Sequence, residues 1–174
     1  MSASPSETNV ELRPITVTDI DFLWRMLGRA AHVPVDELGT FRSDPEVARL
    51  LSDWSRPGDR GIIAEIAGAE AGAAWLRDPV PSDEGLVTSV SSEHPELVIS
   101  VVDGHEGSGL GSTLMAALLD LADADGTPAI VLSVRTYNPA VALYERHGFM
   151  ITNEITNRVG SRSYVMKRTL PDHG

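Results

Sequence analysis

Residues 95–122 read PELVISVVDGHEGSGLGSTLMAALLDLA, and the fold turns on how this stretch divides. Its first part, 96–102, is nearly all apolar and β-branched, the composition of a strand buried on both faces. Gly107, Gly109 and Gly111 then recur at every second position through HEGSGLGS, 105–112. Beyond them Leu110, Leu114, Leu118 and Leu121 follow a helical period, with Met115, Leu119 and Ala122 widening the stripe. Gly126 and Pro128 stop that helix. A strand that ends in glycines and feeds a helix presents unpaired N–H groups at the positive end of the helix dipole, a setting for phosphate or pyrophosphate.

Spacing separates the kinds of phosphate loop. A Walker-type loop ends in Gly-Lys-Ser/Thr, and no lysine is present here, so that reading fails. The dinucleotide fingerprint needs glycines at its first, third and sixth positions. Counted from Gly107, the sixth residue is Ser112, and the next strand ends at Arg135 rather than at an acid for a ribose. That reading is weak.

Upstream, 10–16 alternates as a strand, and 18–31 follows as a helix with Thr18 as cap, Asp21 as the capping-box acid and Ile20, Leu23, Trp24 and Leu27 on one face. Residues 31–44 have little periodicity. A second helix is expected from Asp44 and Pro45, with Val47, Leu50, Leu51 and Trp54 as its stripe. A hairpin of strands 61–67 and 71–77 turns around 68–70, and 78–93 is a loop with room for a short strand at 86–90. Downstream come a buried strand at 129–134, a short helix from Asn138 to Gly148, and strands at 149–155 and 163–169. The order gives an α+β domain leaning to α/β, over 10–170, with residues 1–9 and the tail 171–174 expected to be disordered.

The chain has 174 residues, enough for one core, with 42% hydrophobic and 22% charged residues, as in ordinary globular proteins. Its apolar runs fall far short of the ~20 residues of a membrane span, and its start lacks the basic and apolar regions of a secretory signal. With no cysteine there is no disulfide framework or thiolate site, and the default expectation is a cytoplasmic protein. A net charge of −11 argues against a nucleic-acid binder and tilts the expected partner toward a cation. The five histidines, at 32, 94, 105, 147 and 173, lack metal-ligand spacing, so no metal is expected.

A further reading accounts for the loop better. EGSGLGSTLM resembles the pyrophosphate-binding loop of the GNAT superfamily, N-acetyltransferases that use acetyl-CoA, whose pattern is Arg/Gln-x-x-Gly-x-Gly/Ala after a buried strand. Gly109 and Gly111 fill the glycine positions, while Glu106 stands where the family has Arg or Gln. NPAVALYERHGF, 138–149, is similar to the family's next helix, IAEIAGAEAGAAWL, 63–76, to its hairpin, and VELRPITVTDIDFLWRML, 10–27, to its opening strand and helix. The match runs through nearly all of 10–170, weakest at 31–60 and 78–93.

The resemblance implies a GNAT fold, a mixed, twisted sheet of about six to seven strands flanked by helices. It also implies acetyl-CoA as co-substrate and direct acetyl transfer to a primary amine of a small molecule or peptide. Residues Gly107, Ser108, Gly109, Leu110, Gly111 and Ser112 would hold the pyrophosphate. Backbone groups of Ser100, Val101 and Val102 would hold the pantetheine arm like an added strand, one amide serving as oxyanion donor. Asn138 would contact the cofactor, and as the start of its helix it is equally an N-cap. Tyr144 would protonate the leaving thiolate; the plainer alternative is a packed helix tyrosine. Glu96 would take the amine's proton directly or through water, against the alternative of a solvated strand-start acid, with Glu93 and His94 as weaker substitutes.

Arg135, Arg146 and His147 are candidates for the nucleotide's 3′-phosphate, with surface solvation the simpler role for each. Trp75 and Arg77 are read first as packing and second as pocket borders. Family members are often dimers, which leaves room for a homodimer. The rival from another class is a non-catalytic acyl-CoA sensor or interaction module of the same fold, favoured by the acid at Glu106.

Overall fold

The computed structural model describes residues 9–173; the expected disorder over 1–8, and Gly174 of the tail, lie outside the described residues. Seven strands form one sheet in the order β1-β2-β3-β4-β5-β7-β6. They are β1 Val10–Pro14, β2 Arg60–Ile66, β3 Ala69–Arg77, β4 Glu96–Val101, β5 Ala129–Arg135, β6 Met150–Thr156 and β7 Arg162–Thr169. All neighbours run antiparallel except β4 and β5, which are parallel. The expected α+β class with a mixed sheet is what forms.

The central strands are buried on both faces, which is why 71–76 is continuously apolar rather than alternating. The two-residue period still sorts its side chains. Ile63, Ala73, Trp75 and Val98 share one core with the helix α1, Ile20–Ala30, and the short turns α2, Leu38–Phe41, and α3, Pro45–Ala48. Ala64, Ala74, Leu76 and Leu97 share the other with α4, Leu110–Ala124. Within it Leu114 and Leu118 are fully buried, each stabilising by about 1.5–3 kcal/mol. A Cβ at Gly72 would meet Leu114 Cδ1 and the Ser100 carbonyl at 3.0 Å, so the bare backbone there is what lets α4 lie close.

Four local expectations are corrected. The cap before α1 is not Thr18 with Asp21. Arg13 binds both oxygens of the buried Asp19 at 2.8 and 2.9 Å, and Asp19 also accepts the Thr16 N–H at 2.8 Å. That ion pair places the turn two residues earlier, with a 3-10 turn over Val17–Asp19 ahead of the helix.

The second helix ends after one turn, although its stripe of Val47, Leu50 and Leu51 is buried as expected. The reason is competition for carbonyls. Glu46 O, which Leu50 N–H would use, accepts the Thr88 hydroxyl at 2.5 Å; further on, Leu50 O accepts the Trp75 indole N–H at 2.9 Å and Ser52 O accepts Arg77 Nη2. The Leu50 and Leu51 N–H groups take i→i+3 bonds to Val47 O and Ala48 O, both at 3.0 Å, while Ser52 N–H keeps an i→i+4 bond to Ala48 O at 2.7 Å. Asp53 and Ser55 take left-handed φ of 56° and 91°.

No strand forms at 86–90: the Val87 and Thr88 amides donate to the Glu46 carboxylate at 3.0 and 2.8 Å instead of to a neighbouring strand. Finally, the helix expected over 138–148 is α5, Ala140–Arg146, because the Asn138 side chain accepts the Ala140 N–H at 2.9 Å from just outside it.

Candidate active site

The parallel strands β4 and β5 are in register at one pair only, Glu96 with Val131, beside which the Val131 N–H reaches Pro95 O at 3.0 Å. Past that vertex they part. A cavity of about 320 Å³ opens in the gap, lined by Glu96, Val98, Val101, Ser133, Arg135 and Tyr144 among others.

Alternation decides which backbone groups of β4 face the gap. The Val102 N–H donates to Ala71 O on the β3 side at 2.8 Å, and Val102 O accepts the His105 N–H at 3.1 Å. The backbone of Val102 is therefore spent inside the protein, a correction to its expected role. Two residues back, Ser100 lies opposite Ala73 in unbroken register, so its backbone groups also turn to β3. Those of Ile99 and Val101 turn to the gap. Strand parity, applied to 96–102, would have singled out Ile99 in place of Ser100 and Val102.

Gly107 and Gly109 hold φ of +70° and +84°, a backbone that L side chains rarely adopt, and a Cβ on either would meet nothing within 4 Å. Among the described residues the amides of Gly109, Leu110, Gly111 and Ser112 donate to no protein acceptor; the helical ladder starts when Thr113 N–H reaches Gly109 O at 3.0 Å. Ser108 folds its hydroxyl back onto His105 O at 2.5 Å. The loop is thus an open row of donors at the head of a 15-residue helix, a donor set that fits a pyrophosphate.

Glu106 does not spoil it. Its carboxylate is taken by Arg29 Nη2 at 2.5 Å and by the Gly104 N–H at 2.8 Å, while Arg29 also binds Asp103. Backbone N–H groups of Glu106 itself and Gly104, with Arg29 nearby, hold this carboxyl below the usual range.

Glu96 is the opposite case. It is buried at the vertex of the gap, and Arg49 Nη1 binds Oε2 at 2.6 Å, the two side chains being 9% and 7% exposed. Burial pushes its carboxyl up, and the Arg49 charge opposes that. Oε1 has no partner among the described residues. The solvated strand-start acid is therefore not what stands here, and Glu93 and His94 do not line the cavity.

Tyr144 packs its buried ring edge-on against Phe149, centroids 6.0 Å apart, and burial pushes its phenol up to about 12. It lines the cavity as well, so its packing and its access to the gap coexist. Asn138 caps α5 and also comes within 3.5 Å of His32 Nε2 across the cavity mouth.

Of the three candidate cations only Arg135 lines the cavity; its guanidinium donates to Ala31 O at 3.3 Å. His147 is tied to Leu143 O at 2.9 Å at the far end of α5. Trp75 and Arg77 are packing: Trp75 is fully buried, and Arg77 pairs with Asp59 at 3.0 Å, both side chains 2% exposed. Arg49, Thr88 and His32 were not singled out in the sequence. Arg49 lies off the apolar stripe of the expected second helix and Thr88 in the loop 78–93, and His32 gives no sign except, once folded, its left-handed φ of 57°. No group of three or more metal-ligating side chains is placed to hold an ion among the described residues. None of their helices is long and apolar enough to cross a membrane.

The model of the acetyltransferase (GNAT) family matches residues 27–149. The chain is 29% identical over 150 residues to the phosphinothricin N-acetyltransferase of Streptomyces viridochromogenes, covering 84% of this chain and 77% of that protein. It is 30% identical over 147 residues to the mycothiol acetyltransferase of Clavibacter michiganensis subsp. michiganensis, where the match covers 83% of this chain but 44% of the relative. Among solved structures, Salmonella typhimurium yncA, determined with its cofactor acetyl-CoA, superposes with a TM-score of 0.67 at 21% identity, covering 95% of this chain and 96% of that one.

Proposed function

The chain belongs to the acetyltransferase (GNAT) family of acyltransferases, and on that premise we propose that it moves the acetyl group of acetyl-CoA directly to a primary amine of a small molecule or peptide. The observation that carries this reading is that one cavity takes in Glu96, Tyr144 and the unpaired edge of β4. Acetyl-CoA, when bound, supplies a thioester with an electrophilic acyl carbon and a thiol leaving group.

This chain's residues hold it and move the protons. The amides from Gly109 to Ser112 take the pyrophosphate at the head of α4, with Gly107 and Ser108 shaping the loop. The gap-facing backbone of Ile99 and Val101 holds the pantetheine arm, and one of those amides donates to the acyl oxygen. Asn138 flanks the arm at the start of α5. Glu96 accepts the amine's proton through Oε1, directly or through water. Tyr144, kept protonated by its burial, donates to the leaving sulfur.

The acceptor is a small amine or a peptide amine, with phosphinothricin a rational first probe because a relative is named for it. The non-catalytic alternative rested on Glu106, and the Arg29 contact accounts for that acid without it.

An assay of CoA release with acetyl-CoA and a panel of primary amines tests the proposal. Amine-dependent release by wild type, with a loss in Tyr144→Phe while acetyl-CoA binding persists, is the expected result. Binding without release for any amine would leave a binding module.

A further inference from the structure

Arg49 is the least expected residue near the vertex of the gap, and it is held from several sides. Its Nε donates to the Thr88 hydroxyl at 3.0 Å and its Nη2 to the Thr88 carbonyl, while Nη1 reaches Glu96 at 2.6 Å. Thr88 is itself fixed, because its N–H and that of Val87 clasp the Glu46 carboxylate one turn before Arg49. The short helix α3 with the turn that follows it to 52, and the loop 83–89, thus meet in one clamp whose output is the orientation of a single guanidinium.

We propose that Arg49 is the positioning residue of this site: it keeps Glu96 a carboxylate inside the protein and fixes Oε2, leaving Oε1 for the acceptor amine. The inference rests on the reading of Glu96 as the base. A buried carboxyl without a partner takes up a proton and loses its ability to accept one from an amine. Among the described residues no other cation forms an ion pair with Glu96. Arg77, opposite Glu96 on β3, is committed to Asp59, and Arg158 from the β6–β7 turn is committed to Asp44 at 3.4 Å. Asp83 adds repulsion rather than support, and Glu46 is occupied by its two amides.

The test is a carbon-13 NMR titration of the glutamate carboxyls in the full, unliganded chain, the Glu96 signal being identified by its absence in Glu96→Gln. In Arg49→Met the Glu96 midpoint is expected to rise by about 1–3 pH units, with Arg49→Lys falling between that variant and wild type. A folded Arg49→Met with an unmoved midpoint overturns the proposal, because a merely structural arginine would lower the melting temperature and leave the midpoint alone.

Should Arg49→Met fail to fold, the double variant with Glu96→Gln decides. At pH values high enough to ionise an unpartnered Glu96, it is expected to fold better than Arg49→Met, since no unpaired charge is then buried. A double variant no better than the single one overturns the proposal. The underlying reading fails separately: Glu96→Gln that still acetylates the amine panel removes Glu96 as the base, whatever Arg49 does to its titration.

Discussion

Two glutamates ten residues apart, Glu96 and Glu106, each meet an arginine, and the outcomes are opposite. At the start of β4, Glu96 is buried against Arg49, and loss of water outweighs the pairing, so its carboxyl rises. Beyond the end of the same strand, Glu106 lies in solvent against Arg29, and hydrogen bonds lower it. The partner type is the same; what differs is the water around it. On the proposed reading, the raised carboxyl of Glu96 suits it to take a proton, whereas the lowered one of Glu106 suits it to hold the loop.

The sharpest way to break this contrast is chemical. Glu96→Gln is expected to lower kcat/KM for amine acetylation by about 10²–10⁴-fold, measured with acetyl-CoA in excess; a loss below tenfold would put the two glutamates on the same footing. Next in size is Gly109→Asp, which places a side chain and a charge in the open row of amides at φ +84°. Calorimetry should find acetyl-CoA binding weakened beyond detection in a variant that still melts cooperatively.

A third test uses stability against pH. The folded value of Glu96 lies above its unfolded one, so the folded state retains the proton across that window. Wild type should therefore lose stability relative to Glu96→Gln as pH rises through the window, read as a growing difference in melting temperature. Glu106, lowered in the fold, should show the opposite slope against Glu106→Gln: its contribution is present above the ordinary carboxylate range and fades on acidification. The smallest effect expected is that of Glu106→Gln on acetyl-CoA affinity, a change within a few-fold by calorimetry. An abolished affinity would make this acid part of the binding loop after all.

The sequence made the strand–loop–helix unit legible because each piece has its own local signal: β-branched apolar residues at 96–102, glycines, then leucines at helical spacing. All seven strands were readable for the same reason. Glu96 and Tyr144 become candidates only through the resemblance, since neither position differs in pattern from an ordinary strand start or helix face. What stayed hidden was decided by tertiary competition. The 44–54 helix loses its carbonyls to Thr88, Trp75 and Arg77, the 86–90 strand loses its amides to Glu46, and the cap at Thr18 loses to the Arg13–Asp19 pair. Arg49 follows from these, since its position depends on the end of α3 meeting the loop at Thr88. Ser100 and Val102 were misassigned although the parity of the strand was available to correct them.

The single pairing of Glu96 with Val131 makes the seven strands two panels sharing a hinge pin, four strands on one side and three on the other. Along the rest of the seam β4 and β5 have no further registered pair among the described residues. Hydrogen exchange should therefore record a fault line: gap-facing amides of β4, such as those of Ile99 and Val101, trade protons readily, while those of β5 that pair with β7 resist. An extended ligand laid in the seam would lock the panels together, and exchange at the two sites should slow in step.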